Sequence, residues 1–110
     1  VVTVTIREDS RGRLSSFFAA GHAGWADSGE DIVCAAVSTL LQAAWLGLTE
    51  VAGVAVEGSR ENGRLAISWP AGDRDVAGLQ AIAATVALSV ERIAGQFPDH
   101  VRAIRERDDG

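Results

Sequence analysis

The segment GHAGWADSGEDIVCAAVS, residues 21–38, holds the chain's only cysteine, Cys34, and one of its two histidines, His22. A thiolate is a strong nucleophile, and an imidazole within reach can take the thiol proton and return it to a leaving amine. That pair could cleave a peptide bond through a thioester. Gly21, Gly24 and Gly29 let the intervening loop bend and let a substrate backbone approach closely. Asp31 could orient the imidazole or cap a helix. Ser38 follows Cys34 by one helical turn on the same face and could bond the site or a substrate.

Spacing alone favours plainer readings of the same residues. A lone cysteine in an alanine-rich helix is most often a small buried side chain. A histidine among glycines is most often a turn residue, Asp31 a cap, and Ser38 a hydroxyl bonded to its own helix. Trp25 fits a lid, a substrate platform or a core residue. His22, Cys34 and His100 offer one thiol and no tight ligand pair, so no zinc, other metal or cofactor is expected. The glycines lack the Gly-Lys-Ser/Thr ending of a phosphate loop.

Positioning His22 against Cys34 requires a strand before the loop and a helix after it. Residues 2–8, VTVTIRE, alternate with period two and predict a half-buried strand. DSRG at 9–12 is turn chemistry, and 13–20 predicts a partner strand with Leu14 and Phe18 on one face. From about residue 31, Val33, Val37, Leu41, Ala44 and Leu48 form one apolar helical stripe, with Gly47 or Gly53 as its stop. The helix start decides how the thiol is treated. With Asp31 as N-cap, Cys34 lies in the first turn, where unpaired N–H groups favour a thiolate. With Ser28 as cap, Cys34 lies nearly two turns in and the help is weaker.

Further along, 54–58 and 64–69 predict a second hairpin turning at Asn62-Gly63. Residues 75–97 predict a helix with Val76, Leu79, Ala83, Val86, Val90, Ile93 and Phe97 inward, capped by Asp73 or Asp75 and ended before Pro98. The tail HVRAIR gives a weaker strand signal through Val101 and Ala103. The order β-β-α-β-β-α, with that final β, implies a two-layer α+β fold: a mainly antiparallel sheet of four to five strands with two helices on one face.

Nothing in composition or linkers divides the 110 residues, so a single domain over 1–110 is expected. The apolar share of 47% supports a core without disulfides. One cysteine fits a reducing compartment and, by default, the cytoplasm. The apolar run 32–48 is interrupted by Ser38, Thr39 and Gln42, which argues against a membrane span. A net charge of −5 with no lysine argues against nucleic-acid binding and suits a basic partner.

The GHAG at 21–24 and DIVCAAVS at 31–38 resemble the ribosomal-processing cysteine proteases of bacteria, the Prp family. The resemblance implies that His22 and Cys34 are the catalytic pair, with Asp31 and Ser38 supporting the site. It implies cleavage of the N-terminal extension of a large-subunit ribosomal protein, exposing a tail needed near the peptidyl-transferase centre. It also implies an α+β fold, a homodimer, and a histidine-to-cysteine loop that orders around substrate. Two other classes stay open from the residues: a non-catalytic ribosome-associated or peptide-binding module, and a thiol redox sensor.

Overall fold

The structure, a computed structural model, describes residues 1–21, 28–61 and 63–108, with the backbone alone for 28–31. Five strands form one sheet: β1 (Val2–Glu8), β2 (Leu14–Ala20), β3 (Glu57–Glu61), β4 (Arg64–Ser68) and β5 (Val101–Arg107), in the order β3-β4-β2-β1-β5. The sheet is antiparallel except for β5, which runs parallel to β1. Helices α1 (Ser28–Leu46) and α2 (Leu79–Gln96) complete the α+β fold.

One face of the sheet carries the core. Ile6 pairs with Phe17 and Phe17 with Ile67, while Val4 pairs with Ala19 and Ala19 with Leu65. These rows point the same way because directly opposed residues share a face. The expected α1 stripe of Val33, Val37, Leu41, Ala44 and Leu48 is buried against that face. Ile32–Val51 is long and apolar enough to cross a membrane by length and composition. A third of that stretch is buried, on the stripe that covers the sheet, while Ile32, Leu46 and Val51 stay exposed. Phe17 and Trp69 meet edge to face with centroids 5.5 Å apart, and the Trp69 indole N–H donates to the Leu14 carbonyl at 2.8 Å.

Several local expectations change. Leu14 and Phe18 do not share a face: Leu14, Phe17 and Ala19 are buried, and Phe18 is exposed. The cause is a bulge: Arg7 opposes Ser16 but Glu8 opposes Leu14, so Ser15 is the extra residue. An extra residue flips the alternation that follows it. β3 starts at Glu57, not at Val54. Val54 instead tucks into the core, its N–H donating to the Leu48 carbonyl at 2.9 Å. α1 ends before Gly47, and a wider π turn, Gly47–Val51, continues its path. Gly47 lies so close to Ile82 that an added Cβ would stand 2.9 Å from its Cγ2.

α2 begins at Leu79, after a 3-10 turn at Ala71–Asp73 and Gly78 at φ 84°. Asp75 is no cap, because its carboxylate pairs with Arg13 at 2.7 Å; nor is Asp73, which lies in the 3-10 turn. Phe97 is exposed rather than inward: it sits at the helix's C-cap with φ −128°, off the helical path. β5 extends to Arg107 as a full partner of β1.

Asp9 ties the far end of the sheet to the segment before α2. Its carboxylate accepts from the N–H groups of Arg11 and Arg13 and from the guanidiniums of Arg13 and Arg74. Burial pulls its pKa upward, but these donors outweigh that and hold it at about 2, against an ordinary 3.8. A depressed folded pKa gives stability that is complete above about 3.8 and drains away as pH falls through about 2. The Arg105 guanidinium lowers Glu91 in the same sense. The urea midpoint should therefore fall on acidification across that window. Asp9→Asn should be less stable near neutrality and flatter on acidification, keeping only the part that Glu91 and other carboxylates supply.

Candidate active site

Cys34 is the seventh residue of α1, counting Ser28 as the first. The helix thus takes the earlier of its two expected starts, and the thiol is not in the first turn. The Cys34 N–H therefore lies where helices bond internally, and the dipole's influence has largely fallen off. The N–H groups that an α-helix leaves unpaired belong to its first turn, here ahead of Cys34.

The thiol is half-buried and opens on a cavity of about 420 Å³. Val2 and Ala19 contribute the sheet floor, Ser38 and Leu41 the helical wall, and Gly63 and Arg64 the β3–β4 hairpin. The structure therefore brings Cys34 and Ser38 together on one wall, one turn apart. Ser38 Oγ bonds within its own helix, as expected, but as an acceptor: Gln42 Nε2 donates to it at 3.0 Å. A hydroxyl that already accepts keeps its own proton to donate.

Gly21 ends β2 beside this cavity. Its N–H donates to the carbonyl of Gly63, a lining residue, at 3.2 Å. Its φ is 95°, and a Cβ placed there would stand 2.6 Å from the Val1 carbonyl oxygen. Only glycine satisfies both conditions. His22 is the next residue in the chain. His22, Gly24 and Trp25 lie outside the described residues, and Asp31 falls in the first turn of α1 with its side chain outside them. Gly21→Ala should cost about 1–2 kcal/mol from φ alone, with the carbonyl clash added. A denaturant melt should show that loss, together with a larger fall in peptidase activity than Asn or Ser substitutions on the exposed sheet face produce.

A second cavity of about 290 Å³ adjoins the first and shares Leu41, Arg60 and Leu65 with it. Trp45 and Gly58 close its far end. Sequence reasoning missed these residues. The available signal was spacing: Cys34, Ser38, Leu41 and Trp45 stand at i, i+4, i+7 and i+11, one stripe of α1. Among the described residues, no cluster of three or more His, Cys, Asp or Glu could hold a metal ion.

Comparisons with known proteins bear on the fold and the family. Of the solved structures, SMU.848 from Streptococcus mutans is 27% identical, with a TM-score of 0.86 over 98% of this chain and 96% of that one. The essential ribosomal processing protease Prp from S. aureus, in complex with a substrate peptide, is 21% identical. It superposes with a TM-score of 0.87 over 96% of this chain and 100% of that one. The same protease with a covalently linked product peptide is 22% identical, with a TM-score of 0.85 and the same coverage of 96% and 100%. These two likenesses are of fold. No curated protein matches the chain. The family model of cysteine protease Prp matches residues 1–102. With residues 1–102 matched, nearly the whole chain, this protein belongs to the cysteine protease Prp family.

Proposed function

We propose that the chain is a ribosomal-processing endopeptidase that removes the N-terminal extension of a large-subunit ribosomal protein, with Cys34 as nucleophile and His22 as its base. The observation that carries this reading is the position of the Cys34 thiol. It is half-buried in a cavity wall, and the strand leading to His22 ends beside that cavity. Relatives of the same fold hold a substrate peptide and a covalently linked product peptide.

In this mechanism His22 accepts the Cys34 proton as sulfur attacks the scissile carbonyl carbon. The C=O electron pair moves to oxygen, which first-turn N–H groups of α1 stabilise. Collapse breaks the C–N bond, and the imidazolium gives its proton to the leaving amine. Water, deprotonated by His22, then attacks the thioester; collapse frees the carboxylate and restores the thiol. Ser38 donates its hydroxyl proton toward the bound segment. Asp31 holds the imidazole or the start of α1, and Gly24 gives the loop room to fold over substrate. The acidic loop residues Asp27, Glu30 and Asp31 attract a basic ribosomal tail.

The test is incubation with a peptide spanning the extension and the mature start of the host's ribosomal protein, read by mass spectrometry. One cut that separates the two is expected. An intact peptide after many enzyme equivalents, or cuts scattered along it, would refute the assignment.

A further inference from the structure

The groove does not stop at the nucleophile. The two cavities lie side by side between α1 and the edge of the sheet with Leu41, Arg60 and Leu65 in both walls, so a segment laid across those residues would use both as one channel. Arg60 opposes Leu65, and Gly58 opposes Ile67, so both belong to the face that α1 covers. β3 is the edge strand, and α1 overhangs it without burying it.

Trp45 forms the end of the channel. A Cβ on Gly58 would collide with the Trp45 ring at Cζ3. The ring therefore lies directly on the bare backbone of β3, a pose that any side chain at position 58 would forbid. Trp45 nonetheless stays 36% exposed, so one part of a large apolar surface faces the channel and solvent. Such a ring, with Leu41, Leu65 and Ile67 beside it, is suited to an apolar side chain.

Length then fixes the kind of occupant. Eleven residues of helix separate Cys34 from Trp45, about 16 Å at 1.5 Å per residue. An extended chain at about 3.3 Å per residue covers that span in about five residues. We infer that the Trp45–Gly58 end of the channel is a selectivity subsite. It takes a large apolar side chain of the extended polypeptide substrate, four to six residues from the scissile bond. This rests on the reading of the Cys34 cavity as the cleavage site. Trp45 is thus a specificity-determining residue, and Gly58 positions it.

The experiment uses the fluorescein-labelled tail peptide and an alanine scan along it. Binding is measured by anisotropy to the Cys34→Ala protein and to the same protein carrying Trp45→Ala. Alanine at one apolar position, four to six residues from the cut, should weaken binding about tenfold in the first protein. It should have less than about a twofold effect in the second, whose binding to the parent peptide is already weaker. Trp45→Phe, which keeps a ring in the wall, should restore the preference and covers the case in which the alanine variant folds poorly. Gly58→Ala should copy Trp45→Ala by displacing the ring.

An unchanged scan profile in Trp45→Ala would overturn the inference, as would a coupled position next to the scissile bond. Absence of binding to either protein would overturn it too. Cleavage surviving in Cys34→Ala, with the Trp45 coupling intact, would instead strike the nucleophile assignment and leave the subsite standing.

Discussion

Cys34→Ala should abolish cleavage of the tail peptide, a loss on the order of 10⁵-fold or more in kcat, while the protein stays folded. The two halves of this expectation have separate physical sources. Activity disappears because no other described residue lining the cavity carries a thiol, and hydroxyls without an activating base are poor nucleophiles at neutral pH. The fold survives because Cys34 is half-buried beside a cavity, not clasped in the core. Removing one sulfur there should cost about 1 kcal/mol. The paired measurements are a thermal melt and a single-turnover assay with protein in excess of peptide. Cleavage at the wild-type bond by a verified Cys34→Ala preparation would contradict the assignment.

His22→Ala should lower kcat/KM by roughly 10²- to 10⁴-fold, with the loss mainly in kcat. The size follows from where the helix starts. Had α1 begun at Asp31, its free N–H groups would support a thiolate at Cys34 without much help. Since it begins at Ser28, Cys34 is too far along for that support, and proton removal falls to the imidazole. The same substitution should flatten the acid side of the pH–rate profile, because protonation of the base no longer governs the rate. Peptide affinity, measured in the Cys34→Ala background, should change little. A His22→Ala enzyme within tenfold of wild type at neutral pH would mean that the base lies elsewhere.

Much of this arrangement is legible in the residues. The stripe Val33, Val37, Leu41, Ala44 and Leu48 specifies α1 because its period matches a helix that buries one face. Val2, Val4 and Ile6 specify β1 by the corresponding period of two. What misleads is local. Ser15 inserts into β2 and inverts its alternation, and nothing in RLSSFFAA separates a bulged strand from a regular one. β3 is exposed at every position, so it carries no alternation to detect, while the neighbouring VAV imitates a strand and puts Val54 into the core.

The site was legible to a different degree. The motif around Cys34 pointed to the thiol and to Ser38, and both line one cavity. Trp45 and Gly58 were not visible as a pair, because they lie on a helix and on an edge strand that meet only in the fold. Gly58 in particular reads only as the last residue of a predicted strand over 54–58. Its reason is a ring from α1 that leaves no room for a Cβ. Gly21 could be suspected from sequence, but the backbone oxygen of Val1 that excludes a side chain there could not.

The most direct measurement is the pH dependence of Cys34 alkylation by iodoacetamide in the wild-type and His22→Ala proteins. If the imidazole takes the thiol proton, the wild-type protein alkylates readily at mildly acidic pH, and His22→Ala reaches the same rate only at distinctly higher pH. Superimposable profiles for the two proteins would show that His22 never engages the thiol, and the proposed pair would be wrong.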